Sequence, residues 1–317
     1  MTGNEDDIRW TDASIRWPED KVVSILDGDD DINGPVFDIF ADDPHEIFNF
    51  RFVTKEVNST ITNTIQLNIH GYKTDSDEVW QSTGLTLWKA SKYLCHYMCE
   101  HVDELQNQRV LELGAGLGLN GILAHRLAPN SSVVVTDGDS DAMALLRKNI
   151  VINQSIPIGD DDDKVESNDG TQQSKIAIDS RQLIWGLTPA SKFLDVLSSS
   201  SSSSSSKFSV IIASDVIYAS VVIVPLWETV QKLLTPEGVF WLAFAKRKVP
   251  VTIEFVLQKA QDYGFSYELV GKNEDGECND DNKNSKIDTT EAGPVFIYIF
   301  RWDTAETSHC EGETVVV

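Results

Sequence analysis

The stretch Val110-Leu111-Glu112-Leu113-Gly114-Ala115-Gly116-Leu117-Gly118-Leu119-Asn120-Gly121 decides how the rest of the chain is read. A short apolar run, a cluster of glycines and then an apolar-periodic segment over 121–127 spell a buried strand, a tight turn and a helix. Glycine lets the backbone turn sharply and lie against a flat ligand, because no Cβ holds it away. Two ligand classes use such a turn. Counted from Gly116, the spacing is the G-x-G-x-x-G of dinucleotide sites, which points to NAD. Counted from Gly114, where the strand ends, it is G-x-G-x-G, and Glu112 two positions earlier suits a cationic ligand better than a pyrophosphate. Asp137 closes the next apolar run, Val133-Val134-Val135, 21 residues after Gly116. A carboxylate there can accept hydrogen bonds from both hydroxyls of a ribose, whichever ligand carries it.

Outward from this block the same rhythm continues. A helix is expected over 139–153, strands over 210–212 and 239–244 each precede a helix (221–234 and 251–263), and strands over 265–270 and 295–302 follow. Adding 177–185 as a strand gives about seven strands in one α/β, doubly wound and mostly parallel sheet. Upstream, Gly84 is followed by Leu85, Leu87, Trp88, Ser91, Leu94, Cys95 and Met98, which share one helical face. Period-two patterns at Phe48, Phe50, Phe52 and at Ile65, Leu67, Ile69, with Asn58-Ser59-Thr60 between them, predict an N-terminal β-hairpin packed outside the sheet. The expected organisation is an acidic, loosely ordered arm (1–46), the hairpin (47–80), a main domain (81–302) and a tail (303–317). Mobile inserts are expected at 158–175, 198–206 and 271–292, because their Asp-, Ser- and Asn-rich composition cannot offset the entropy of ordering.

The formal net charge is −24, and the sequence repels phosphate backbones, so nucleic acid is not an expected partner. The first sixty residues, the inserts at 158–175 and 271–292, and residues 293–317 carry −21 of it. The remaining body is therefore nearly neutral, and the acidic periphery would steer basic protein surfaces toward it. Four cysteines without C-x-x-C spacing indicate a reducing compartment. No secretory signal and no run of ~18 apolar residues is visible, so no membrane association is expected and the cytoplasm is the expected location, with the nucleus also open. A monomer is expected. His70, His96, His101 and His125 show no metal-ligand spacing, and no nucleophile elbow is present.

Asp215 follows the apolar run 210–213 and should lie at the C-terminal end of a central strand, with Tyr218 in the loop beyond. Taken alone, Asp215 is equally suited to capping the next helix.

Five blocks, in order, carry a resemblance: 84–91 (Gly-Leu-Thr-Leu-Trp-Lys-Ala-Ser), 111–118, 135–137 (Val-Thr-Asp), 183–186 (Leu-Ile-Trp-Gly) and 214–218 (Ser-Asp-Val-Ile-Tyr). The chain resembles methyltransferase family 16, the methyltransferase-like protein-lysine branch of the seven-β-strand enzymes that use S-adenosyl-L-methionine. The resemblance implies that Trp88 stacks near the methionine part of that cofactor and that Gly114, Ala115 and Gly116 contact its methionine and ribose. It further implies that Asp137 holds the ribose diol, Trp185 lies beside the adenine, and Ser214 touches the cofactor through its backbone, although the family more often has alanine there. Asp215 and Tyr218 would form the methyl-acceptor site, receiving a lysine of a non-histone protein. A small-molecule methyltransferase, an NAD-dependent oxidoreductase and an inactive cofactor-binding scaffold are the other readings open to this sequence.

Overall fold

The computed structural model describes residues 44–55, 62–74, 79, 82–154, 178–200, 206–246, 251–273 and 293–303. In chain order these form strands β1 (His45–Lys55) and β2 (Thr62–Tyr72), helix α1 (Lys89–Glu100), β3 (Arg109–Leu113), α2 (Leu119–Leu127), β4 (Ser132–Asp137) and α3 (Ser140–Gln154). There follow β5 (Asp179–Gln182), α4 (Leu187–Ser200), β6 (Phe208–Ser214), α5 (Ile223–Leu233), β7 (Leu234–Ala245), α6 (Ile253–Asp262), β8 (Phe265–Asn273) and β9 (Val295–Trp302).

Seven strands make one sheet in the order β5-β4-β3-β6-β7-β9-β8. The first five are parallel, and β9 is inserted antiparallel between β7 and β8. Alternation along each strand divides the core between the two faces. Val110, Val210, Ile212, Trp241 and Ala243 pack on one side with the apolar faces of α1, α2 and α3. Leu111, Leu113, Ile211, Ala213, Phe240 and Leu242 pack on the other with α4, α5 and α6. The expected α/β doubly wound sheet is thus the observed one. The chain leaves β3 toward β4 on one side and returns to β6 on the other, so the crevice between the C-terminal ends of β3 and β6 is the switch point where such sheets bind ligands.

The hairpin lies on the α1–α3 face, with Phe52, Ile65, Leu67 and Ile69 in that core. Two asparagines one turn apart on α3 hold its outer edge. Asn149 Oδ1 accepts from the His70 N–H at 2.8 Å and its amide donates to the His70 carbonyl at 2.9 Å. Asn153 repeats the pair on Asn68, at 2.9 and 2.8 Å. The carboxamides therefore stand in for a neighbouring strand, and they satisfy edge groups that would each cost about 1–3 kcal/mol if buried unpaired. Asn149 also donates to the Leu117 carbonyl at 3.0 Å, which ties the hairpin to the glycine turn.

Several expected boundaries move. β1 begins at His45, inside the stretch read as the acidic arm, and β5 covers only Asp179–Gln182 of the expected 177–185. Residues 198–200 of the serine run are not loop: they complete α4. Ser198 and Ser199 turn their hydroxyls back onto the Leu194 and Val196 carbonyls, and Phe193, Leu194 and Leu197 anchor that helix in the core. Residues 271–273 likewise belong to β8, paired with residues 295–297 of β9. The arm over 1–43, the insert at 158–175, serines 201–205, residues 274–292 and the tail from 304 lie outside the described residues. No helix among the described residues is long and apolar enough to cross a membrane.

Candidate active site

The turn after β3 is built from backbone. Gly114 and Gly116 hold φ of +63° and +51°, a region that L side chains rarely adopt. Space is as restrictive as torsion, since a Cβ on Gly114 would lie 2.7 Å from Val216 Cγ1 and one on Gly116 would lie 3.1 Å from the Gly84 carbonyl. The loop is wedged between the segment carrying Gly84 and the segment after β6. The Ala115 N–H donates to the Thr136 carbonyl at 2.9 Å, joining it to β4 as well.

Asp137 ends β4. Its Oδ2 accepts from the Gly116 N–H at 2.8 Å and its Oδ1 from the Asp139 N–H at 2.9 Å, so the carboxylate is fixed in orientation beside the glycine turn. Burial raises its pKa, and the backbone N–H bonds work against that rise. Asp139 caps α3, accepting from the N–H groups of Asp141 and Ala142.

Trp88 precedes α1 and donates from its indole N–H to the Thr83 carbonyl at 2.8 Å. Trp185 follows β5, its ring 3.3 Å from where a Gly114 Cβ would stand. The Gly186 N–H beside it donates to Thr229 Oγ1 at 2.8 Å. At the end of β6, Ser214 donates its hydroxyl to Asn120 Oδ1 at 2.9 Å. Asp215 then adopts φ +58°, uncommon for a non-glycine residue, with its N–H on the Ala243 carbonyl at 2.9 Å. That left-handed step turns the chain out of the sheet at the residue read as the acceptor aspartate. Tyr218 lies three residues on and is half exposed.

All nine residues singled out from sequence, Trp88, Gly114, Ala115, Gly116, Asp137, Trp185, Ser214, Asp215 and Tyr218, line one cavity of about 680 Å³. That volume falls within the roughly 300–1,000 Å³ usual for small-molecule sites. Among the described residues, the charged side chains lining it are Asp137, Asp139 and Asp215, with no Lys, Arg or His. That set suits a ligand bearing sulfonium and ammonium charges.

Glu112, read as favouring a cationic ligand, acts elsewhere. It is fully buried behind the glycine turn, where its Oε2 accepts from the Gly121 N–H at 2.8 Å in the first turn of α2. Its strand position turns it inward, so the acidic groups lining the cavity are Asp137, Asp139 and Asp215. Asn120 was missed by sequence reasoning. It lines the cavity, donates to the Ser91 carbonyl at 2.7 Å and to Cys95 Sγ, and so joins α1 to the end of β6. The signal was present, since Asn120 is the one polar residue between Leu113 and Ala124. The Ser214 hydroxyl also acquires a role here, as Asn120's partner.

With this fold and cavity, the family match makes the protein an S-adenosyl-L-methionine-dependent methyltransferase. Residues 70–260 match the family model described as lysine methyltransferase, and the chain belongs to that family. It is 28% identical to the EEF1A lysine methyltransferase 3 of Xenopus tropicalis over 61% of this chain and 71% of that protein. It is 26% identical to the protein N-terminal and lysine N-methyltransferase EFM7 of Kluyveromyces lactis, over 72% of this chain and 80% of that one. Among solved structures, the magnesium protoporphyrin IX methyltransferase of Synechocystis with bound S-adenosylmethionine aligns with a TM-score of 0.41 at 12% identity, covering 67% of this chain and 78% of that chain. The family replaces the oxidoreductase reading to which the glycine spacing pointed.

Proposed function

We propose that this enzyme methylates a lysine side chain of a non-histone protein, with Asp215 and Tyr218 forming the acceptor site. The observation that carries the reading is the meeting of both residues with the glycine turn, Asp137 and two tryptophans in one cavity that, among the described residues, holds carboxylates and no cationic side chain. Trp88, Gly114, Ala115, Gly116, Asp137, Trp185 and the Ser214 backbone hold the cofactor, with Asp137 on the ribose hydroxyls and Trp185 beside the adenine.

S-adenosyl-L-methionine supplies an electrophilic methyl group on a positively charged sulfur. What remains for the protein is to align a neutral amine with that methyl group and to exclude water. Asp215, held at its unusual φ by the bond to Ala243, receives the arriving ammonium and orients it. Deprotonation is favoured once the amine lies beside a second positive charge, and the proton leaves to water. Tyr218 presents its ring to the aliphatic stem. The acidic periphery draws in a basic protein surface from a distance, the enzyme works as a cytoplasmic monomer with the nucleus also open to it, and nucleic acid is not its partner.

The test is to incubate an extract from cells lacking this protein with the enzyme and tritiated S-adenosylmethionine, then to identify the labelled residue. Label on lysine of one or a few proteins is expected. Label confined to lipid or small metabolites would overturn the reading. Label on a protein N-terminal amine, the second acceptor in the name of the Kluyveromyces relative, would redirect it.

A further inference from the structure

Inside the cavity the charged groups are acidic, whereas the exposed part of its lining, Thr83, Gly138, Ile184, Tyr218 and Val221, adds no charge and is largely apolar. Three large hydrophobic side chains that line the mouth are left in solvent: Val221 is 77% exposed, Ile184 65% and Tyr218 50%. Val221 is the most exposed large hydrophobic residue among the described residues. It stands in the short 3₁₀ turn Ser220–Val222, between the acceptor loop and α5, and Ile184 faces the cavity from the loop after β5. Val222 and Pro225 extend the same lining without adding a charge.

We infer that this rim is the docking surface for apolar residues flanking the acceptor lysine, and that Val221 is a specificity-determining residue of the methyl transfer. The inference rests on the protein-acceptor reading above. A lysine that reaches Asp215 must bring its sequence or surface neighbours to the mouth, so the rim is continuous with the site that the substrate has to enter. Its chemistry there is one-sided. Aliphatic neighbours lose water-exposed area against Val221 and Ile184, whereas charged neighbours are desolvated and find no partner. Ammonium selection inside the cavity and apolar selection at its edge are thus separate filters. Long-range attraction of a basic protein by the acidic periphery acts before either.

The test compares Val221→Asp, Val221→Lys and Val221→Leu with the unaltered enzyme. The readouts are initial rates of protein labelling in the extract with tritiated S-adenosylmethionine, and S-adenosylhomocysteine affinity by calorimetry. An apolar contact predicts that Asp and Lys each slow labelling about tenfold, the equivalent of losing one well-packed interface side chain. Leu should stay within about twofold and all four affinities should agree. Faster labelling with Asp and loss with Lys would mean a basic flank and overturn the proposal. Equal rates for all four would overturn it too, since the rim would then serve another occupant. A fall in S-adenosylhomocysteine affinity would assign Val221 to the cofactor and end the inference. An unaltered enzyme that labels no protein would instead refute the protein-acceptor reading on which it rests.

Discussion

The two loops that meet at the switch point are built on opposite plans. After β3, the turn from Gly114 to Gly118 is dictated by backbone: positive φ, forbidden Cβ positions, and N–H groups engaged by Asp137 and Thr136. After β6, the loop turns once at Asp215 and then displays side chains, with Tyr218 and Val221 in solvent. The difference separates tasks. A cofactor that never changes can be held by main-chain geometry that tolerates no substitution. An acceptor is met by side chains that can be exchanged at little cost to the fold.

The largest effect should come from the acceptor loop. Asp215→Ala is expected to lower transfer by roughly 10²–10⁴-fold, the range for loss of a positioned polar group at the reacting centre, while S-adenosylhomocysteine binding by calorimetry stays within a few-fold. Equal loss of both would show that the two loops are not separable. Gly114→Ala should do the reverse of sparing the cofactor. It forces a Cβ to 2.7 Å from Val216 Cγ1 at φ +63°, and is expected to cost about 2–4 kcal/mol in thermal or urea unfolding together with most of the S-adenosylhomocysteine affinity. An alanine variant of normal stability and affinity would remove the claim that backbone geometry holds the cofactor.

The smallest effect on methyl transfer belongs to Glu112, which lies beneath the glycine turn and does not line the cavity. Burial pushes its carboxyl up to about 8 from the 4.5 of an ordinary glutamate, against the bond from the Gly121 N–H and with help from the Asp137 charge. The folded chain then keeps a proton that the unfolded chain releases, so this group's stabilising contribution is complete below about pH 4.5 and is lost as pH rises to about 8. Glu112→Gln keeps an acceptor for the Gly121 N–H and removes the titration. Its melting temperature should fall less steeply than that of the unaltered protein as pH rises from about 5 to about 8, the window in which the folded glutamate holds a proton and the unfolded one does not. Parallel curves across that range would refute the buried, protonated state.

What could be read in advance follows the same division. The glycine block, Asp137, Asp215 and Tyr218 were legible because strand, turn and helix signals are local and the ligand-facing end of a parallel strand follows from them. The asparagines were not. Asn149 and Asn153 look like ordinary helix-surface residues until β2, 79 to 85 positions away in sequence, lies against them. Glu112 was read toward the ligand because spacing alone does not say which way a strand residue points once both faces of the sheet are covered. Ser198–Ser200 were read as loop from composition, whereas the apolar face beginning at Phe193 carries the helix through them.

The sequence by itself determined the class of fold and the glycine turn after β3, because glycine torsions and apolar periodicity act over a few residues and need no distant partner. Only the tertiary structure decided that Glu112 faces inward, that Asn120 joins α1 to β6, and that the acidic cavity carries an apolar rim at Ile184, Tyr218 and Val221. Those features depend on which surfaces the sheet brings together, as with Asn120 and Ser214, 94 positions apart, and such contacts are set by packing of the whole core.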